Sequence, residues 1–342
     1  MKTAIVLFNL GGPDRPEAIK KFRLNLFSDK AIIRAPWFIR IWLSRLIAAS
    51  SARTAVKNYK LMGGKSPLLE LTQKQAKALE VVLGEEYRCF IAMRYWHPFA
   101  KETVKDVKDW NPERIILFPL YPQFSTTTTG SSLTDWRAEA AKAGLIKPVT
   151  TICCWYDNPH YVQATAALVR TAILQAKEKY PEIPLRILFS AHGLPETIVK
   201  KGDPYQAQIE ATSKDVMAHL SDLQTEFRVC YQSRATPQKW LEPNVVDEIK
   251  QAGKEKYGLV IVPIAFVSDH IETLVELDIE NKHIAEQAGV PIYSRAAVGN
   301  NHPDFIKALA EIIQNSKENG LCRGGTICGP HKDCPWEKKR EA

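Results

Sequence analysis

Two short motifs in the second half of the chain place histidine beside carboxylates just after apolar segments. In SAHGLP (190–195), His192 follows one apolar run, and in FVSDHIE (266–272), Asp269, His270 and Glu272 follow another. Histidine titrates near neutral pH, so it can accept a proton, and its neutral ring can bind a metal ion. The motifs therefore indicate proton transfer or metal handling. A histidine hydrogen-bonded at a sheet edge is the alternative.

A column of acids continues from the second motif. Its members are three or four residues apart, which places them on one face of a helix that opens at Ser268 or Asp269; they are Asp269, Glu272, Glu276 and Glu280. Leu274 and Leu277 are expected to point toward the core. Stacked like charges cost stability, so one interpretation is a track for a divalent cation or for protons. The other is a solvated acidic face with Asp269 as the helix cap.

Three polar–aromatic loops could wall a ligand site. They are residues 94–98, 119–125 and the pair 231–234 with 240–243. Aromatic side chains with a few cations suit a flat apolar ligand that carries carboxylates. Each loop taken alone would more often be core packing and turn chemistry.

The segment PWFIRIWLSRLI (36–47) predicts a helix with one apolar stripe and Arg40 and Ser44 opposite it; the stripe holds Phe38, Ile39, Trp42, Leu43, Leu46 and Ile47. Cations flank or interrupt it at Lys30, Arg34, Arg45 and Arg53. Tryptophans beside arginines are typical of a helix in a membrane interface. The segment could also be a lip that guides an apolar ligand, or an ordinary amphipathic helix packed on the core.

The chain has seven cysteines, and three of them crowd its last 21 residues. Cys322, Cys328 and Cys334 are separated by five residues each, in a stretch whose glycine and proline content suits a loop around a metal centre. This spacing matches neither a zinc finger nor a ferredoxin. A fourth ligand would have to come from Cys153 or Cys154. A tail with free thiols is the alternative.

The pattern of apolar runs predicts the fold class. Continuous apolar runs at residues 4–8, 114–118, 185–190 and 259–266 are typical of strands buried on both faces. Helical patterns lie between them, at 67–83, 161–179 and 206–223. Strand and helix in alternation predict an α/β fold with doubly wound parallel sheets, and in such sheets ligands bind at the carboxyl ends of the strands.

Composition narrows the partners. The chain has 342 residues, 45% hydrophobic and 25% charged, with a net charge of +8. That surplus favours an acidic ligand or membrane surface, since we find no nucleic-acid module. Neither a phosphate loop nor a dinucleotide fingerprint is present. We find no signal peptide or membrane span, so we expect a cytoplasmic protein, with peripheral contact at the inner membrane as an option.

Taken together, the motifs resemble the ferrochelatase family, nearly from end to end and in the same order. They lie at residues 9–13, 63–67, 94–95, 121–123, 190–193, 232–233, 240–241 and 268–274. The resemblance implies two Rossmann-like halves that face each other across a cleft. The expected division is 1–155, with the lip near 30–50, then 156–300, and then 301–342 as a returning helix with the cysteine tail.

The resemblance also implies roles for residues. His192 and Glu272 would contact the metal or the pyrrole nitrogens, and Asp269, His270 and Glu276 would form the supporting acidic path. The porphyrin would be lined by Leu10, Arg94, Tyr121, Gln232, Ser233, Trp240 and Phe266. Some family members carry a [2Fe–2S] cluster on three C-terminal cysteines and one upstream, so Cys322, Cys328, Cys334 and Cys153 or Cys154 are the expected ligands.

The implied activity is insertion of Fe²⁺ into protoporphyrin IX to form protohaem, the last step of haem biosynthesis. The partners would be the porphyrin, ferrous iron and a membrane surface, with a homo-oligomer open and no nucleic acid. Three alternatives remain: a chelatase for another tetrapyrrole and metal, a haem or metal carrier without turnover, and, less favoured, a membrane-surface scaffold.

Overall fold

The computed structural model describes residues 1–234 and 238–316. It contains two four-stranded parallel sheets. The strands are β1 (Thr3–Asn9), β2 (Tyr87–Met93), β3 (Arg114–Pro119), β4 (Val149–Thr151), β5 (Leu185–His192), β6 (Glu226–Gln232), β7 (Gly258–Pro263) and β8 (Tyr293–Arg295).

The two sheets repeat one topology. The first has the order β2-β1-β3-β4 and the second β6-β5-β7-β8, and every neighbouring pair is parallel. In both sheets the first strand in sequence is central, and β1 is buried along its whole length. The chain then crosses over on helices to reach strands on either side. The predicted α/β class with doubly wound parallel sheets is confirmed.

Helices fill the crossovers. They are α1 (Ile19–Ser28), α2 (Trp37–Ser50), α3 (Ala52–Lys60), α4 (Leu68–Leu83), α5 (Ala100–Trp110), α6 (Thr129–Lys142), α7 (Pro159–Lys179), α8 (Glu196–Val199), α9 (Tyr205–Ala218), α10 (Val245–Glu255), α11 (Lys282–Gln287) and α12 (Pro303–Asn315). A π-helix, Glu272–Asn281, precedes α11, and short 3₁₀ turns lie at Pro16–Ala18 and Ser221–Leu223.

Several predicted boundaries were wrong in ways that matter for the site. Strand β5 runs on to His192, so this histidine is the last residue of a strand and does not lie in the turn after it. Strand β7 stops at Pro263, three residues short of the expected end, since proline has no N–H for a further ladder bond. The predicted helix 206–223 ends at Ala218.

The two halves share an apolar core. One buried cluster includes side chains from both sheets, among them Leu7 and Phe189, together with Leu309 of α12. Helix α12 packs on both α4 and α7 and so ties the end of the described chain to both halves. The division at 155 and 300 stays a prediction.

Candidate active site

The histidine and the glutamate that the sequence singled out are in contact. His192 ends β5, and Glu272 opens the π-helix that follows β7, the neighbour of β5 in the sheet. His192 Nδ1 lies 2.8 Å from Glu272 Oε2. The His192 side chain is 38% exposed and that of Glu272 is 18% exposed, so the histidine is the more accessible partner.

The pair favours the charged form of both groups. Burial acts to raise the pKa of Glu272, but the His192 charge and hydrogen bond outweigh it and bring this pKa down to about 2. Burial acts to lower the pKa of His192, but the Glu272 carboxylate raises it by more. The ring therefore has a nearby acceptor that stabilises it when it gains a proton.

The second carboxylate of the column lies beside the first. Ser233 donates its backbone N–H to Glu276 Oε1 at 2.9 Å and its hydroxyl to Glu276 Oε2 at 2.5 Å, and that hydroxyl lies 3.4 Å from Glu272 Oε2. Gln232 Nε2 donates to Glu276 Oε2 at 3.1 Å. Burial and the Glu272 charge raise the pKa of Glu276 to about 7.

Glu272, Glu276 and Glu280 lie on a π-helix and Asp269 precedes it, so the prediction of one α-helical column was wrong. Helical structure begins at Ile271 and not at Ser268 or Asp269, and it runs with i to i+5 bonds from Glu272 to Asn281. Leu277 is buried as expected, whereas Leu274 is half-buried. The ends of the column have separate partners: Asp269 binds Arg295 at 3.2 Å, and Glu280 accepts from Asn58 at 3.1 Å.

His270 contacts the backbone of Glu272 and not its carboxylate. Its Nδ1 accepts the backbone N–H of Glu272 at 3.1 Å, which assigns the ring proton to Nε2. Burial lowers the pKa of His270, so the ring stays neutral. The ring of Phe266 meets it edge-on, with centroids 4.6 Å apart.

Other residues of the predicted porphyrin lining differ in accessibility. Leu10 and Tyr121 are half-buried, while Gln232 and Trp240 are buried. Gln232 also accepts from the Ser190 hydroxyl at 2.7 Å, so its amide links β5 to Glu276. Within the described residues, no three His, Cys, Asp or Glu side chains converge as a metal-binding group.

Comparisons with known proteins identify the family. A family model described as ferrochelatase matches residues 2–317. The chain belongs to the ferrochelatase family. It is 47% identical to a ferrochelatase of Caulobacter vibrioides, with 98% of this chain and 96% of that protein covered, and 43% identical to one of Pelagibacter ubique, with 99% and 98% covered.

Solved structures agree with the fold. The chain is similar to the SirB sirohydrochlorin chelatase of Bacillus subtilis subspecies spizizenii in complex with cobalt, with a TM-score of 0.51 and 11% identity over 92% of this chain and 95% of that one. Another SirB structure, from Bacillus subtilis with Fe³⁺, gives a TM-score of 0.50 and 14% identity over 92% and 96%. At 11% and 14% sequence identity, these two similarities support the fold of this ferrochelatase-family chain and nothing further.

Sequence reasoning missed the partners of Arg94. The Arg94 guanidinium binds Asp29 at 3.0 Å and donates to the Ser131 hydroxyl at 2.7 Å, so it is held within the first half. Asp29 also accepts from the Tyr95 hydroxyl at 2.8 Å. A cavity of about 570 Å³ lies against Arg94, and neither His192 nor Glu272 lines it. Asp29 precedes Arg94 by 65 residues and belongs to no sequence motif, so the sequence gives no indication that the two side chains pair.

Helix α2 presents its apolar side to solvent. Ser44 and Ala48 are buried, and the Ser28 hydroxyl donates to that of Ser44 at 3.2 Å, so the small residues face α1. Leu43 and Ile47 of the predicted stripe are half-buried. The exposed large apolar side chains of α2 are Trp37, Phe38, Ile39, Ile41, Trp42 and Leu46. The alternative of an ordinary helix with its apolar stripe on the core is therefore wrong. None of the helices in 1–234 and 238–316 has the length and apolarity to span a membrane.

The upstream cysteines form a buried pair. Cys153 and Cys154 have their sulfur atoms 3.8 Å apart and pack against Phe124 and Tyr156. The three tail cysteines, Cys322, Cys328 and Cys334, lie outside the described residues.

Proposed function

We propose that this chain inserts Fe²⁺ into protoporphyrin IX, releasing two protons and forming protohaem. The observation that carries the proposal is the 2.8 Å contact between His192, the last residue of β5, and Glu272, which follows the neighbouring strand β7, in a chain that belongs to the ferrochelatase family. Open α/β sheets bind ligands at such strand ends.

The chemistry requires a base and a weak metal ligand. A free porphyrin carries two N–H protons inside its ring, and each must leave as the metal enters. His192, in its neutral form, accepts a pyrrole proton, and the Glu272 carboxylate stabilises the imidazolium that results. The incoming ferrous ion is a substrate, and a single carboxylate holds it loosely enough to release it to four nitrogens.

The remaining site residues have supporting roles in this proposal. Asp269, His270 and Glu276 form the path that supplies metal or removes protons. Aromatic and apolar side chains bind the macrocycle, and part of that binding energy distorts it. The residues of this lining, polar ones included, are Leu10, Arg94, Tyr121, Gln232, Ser233, Trp240 and Phe266.

Anaerobic turnover of protoporphyrin IX with Fe²⁺ or Zn²⁺ tests the proposal. We expect metalloporphyrin from the wild type and a loss of about 100-fold or more in kcat for His192→Ala and for Glu272→Gln. His283→Ala is the control, because His283 also faces a glutamate, Glu286, at 3.9 Å but is exposed on α11 and lies outside the site. It should keep wild-type turnover.

Two other outcomes would reject the proposal. A wild type that converts another tetrapyrrole and metal but not protoporphyrin IX is a different chelatase. A wild type that binds porphyrin or haem tightly without turnover is a carrier. The choice of tetrapyrrole and metal separates the two chelatases, and the His192 and Glu272 variants separate a chelatase from a carrier, because only an enzyme has product formation to lose while it retains porphyrin binding.

We also propose that α2 lies against the membrane from the cytoplasmic side. Its exposed aromatic side chains, with Arg34, Arg45 and Arg53 nearby, have the composition of a helix that lies in the interface. A porphyrin is apolar, so a lip in contact with lipid would give it a short route to the site. Vesicle binding, treated in the Discussion, tests this.

A [2Fe–2S] cluster on Cys322, Cys328, Cys334 and Cys153 or Cys154 is a further part of the proposal. The support is positional: His160, at the start of α7, binds Glu311 of α12 at 2.9 Å, so the last described helix packs close to the segment that follows the buried cysteines. Such a cluster would supply one-electron chemistry. Protein purified anaerobically should contain sulfide and absorb in the visible range, and Cys328→Ser should abolish both. Colourless, sulfide-free protein would reject the cluster.

A further inference from the structure

Gln75 is a fully buried polar residue whose side chain bonds entirely with the other half of the molecule. It lies on α4, where most of its buried neighbours are apolar. Its amide donates to the backbone oxygen of Asn300 at 2.8 Å and to that of Val267 at 3.3 Å, and it accepts from the Ser268 hydroxyl at 3.3 Å. A buried amide costs free energy unless it is bonded, so its placement here specifies one docking geometry.

Asn300 continues the chain of contacts toward the site. Its side-chain oxygen accepts the backbone N–H of Asp269 at 3.0 Å, and its amide nitrogen donates to Asp269 Oδ2 at 2.8 Å. Its own N–H donates to the Val267 oxygen at 2.8 Å, which closes the link to the segment that Gln75 holds. The residue has φ +40°, in the left-handed region that asparagine tolerates better than most residues.

Asp269 in turn determines where the next residues lie. Thr273 donates its hydroxyl to Asp269 Oδ1 at 2.9 Å and accepts the N–H of His270 at 3.0 Å. This closes a tight turn around His270 and directs Glu272 toward His192. Two amides, one from each half of the molecule, thus restrain the turn that carries the glutamate.

We propose that Gln75 and Asn300 are positioning residues. Their side-chain amides form a chain of hydrogen bonds, here called the amide relay, that runs from α4 in the first half to Asp269. The relay fixes the position of the 269–272 turn, and therefore of Glu272, relative to the first half. The inference rests on the proposed function. It adds that the position of the turn that carries Glu272 depends on contacts from the first half. Hydrogen-bond partners behind a metal ligand typically change affinity or rate by about 10- to 100-fold when they are removed.

The test compares Gln75→Leu and Asn300→Gly with a matched control. Glycine at 300 keeps the left-handed backbone and the carbonyl that Gln75 binds, so only the amide contacts to Asp269 are lost. Gln208→Leu is the control because Gln208 is also fully buried and also bridges the halves, accepting the Phe124 N–H at 2.7 Å, through a loop other than the 269–272 turn.

We expect kcat with Zn²⁺ to fall by about 10- to 100-fold in Gln75→Leu and Asn300→Gly, and the KM for Zn²⁺ to rise. The dissociation constant of protoporphyrin IX, from fluorescence quenching, should stay at the wild-type value. Gln208→Leu should lower thermal stability as Gln75→Leu does and keep the wild-type kcat. The fold-loss in kcat of the double variant should be smaller than the product of the two single fold-losses, since both residues act on one turn.

Wild-type kcat in both folded relay variants would overturn the proposal, and so would an equal loss in Gln208→Leu. A wild type without turnover would refute the proposed function instead. In that case the relay is tested by hydrogen exchange of the backbone amides of residues 269–276. Exchange should be faster in the two relay variants than in the wild type and in Gln208→Leu. Equal exchange in all four proteins would refute it.

Discussion

Serine in place of Trp37 and Trp42 should release the chain from lipid vesicles. The two side chains are 68% and 64% exposed, and an aromatic side chain offers about 150–250 Å² for burial. The pair therefore presents about 200–330 Å², which is about 5–8 kcal/mol at about 25 cal/mol per Å² if both rings left water completely. An interfacial helix buries only one side, so about half of this applies, and the partition coefficient should fall about 100-fold or more.

The assay is co-sedimentation with anionic vesicles over a range of lipid concentrations. The matched control is Val81→Ser with Ile146→Ser, because these residues are 85% and 91% exposed and lie outside α2. The control should sediment as the wild type does. Zwitterionic vesicles should bind the wild type more weakly, since Arg34, Arg45 and Arg53 lose their anionic partners. Equal binding by the wild type and the tryptophan variant would refute the reasoning.

Three further predictions concern stability and substrate binding. Arg186→Met should lower the free energy of unfolding, measured by urea denaturation, by about 1–3 kcal/mol. Arg186 is 3% exposed, pairs with Glu226 and Glu255, and stacks on the Tyr257 ring. An unchanged urea midpoint would contradict this. Glu255→Gln should cost less than Arg186→Met, since its carboxylate is one-third exposed. Asp29→Asn should raise the KM for porphyrin about 10-fold with kcat retained, since Arg94 loses its 3.0 Å partner; steady-state kinetics with varied porphyrin checks this, and a fall in kcat alone would contradict it.

The fold could be predicted from sequence because its strands are buried on both faces. A run such as residues 4–8 has no polar position that would fit a solvated sheet face, and β1 is indeed buried throughout. The placement of His192 and Glu272 at one edge of a sheet followed from the same logic, since both follow apolar strands and ligands bind at the carboxyl ends of such strands; their direct contact was not predicted. Local pattern and parallel topology were sufficient for both.

Long-range hydrogen bonds could not be predicted in this way. Nothing near Gln75 in sequence distinguishes it from a solvated glutamine on a helix, and only the docking of α4 on the second half reveals its burial. The same is true of Asp29, whose carboxylate is engaged by Arg94 and Tyr95 from a strand end far along the chain. Polar residues whose partners come from another half of the molecule leave no periodic signal.

The π-helix has a tertiary cause. Repeated i to i+5 bonding is rare and occurs often at functional sites, and here the contacts that accompany it come from outside the helix. Ser233, with φ +64°, donates twice to Glu276, and the Tyr293 hydroxyl donates to the Leu277 oxygen at 2.7 Å. Arg295 binds Asp278 through its Nε at 2.7 Å. Because these anchors come from β8 and from the residue that follows β6, the π-helix depends on neighbouring strands, and the sheet that holds its carboxylates also positions His192.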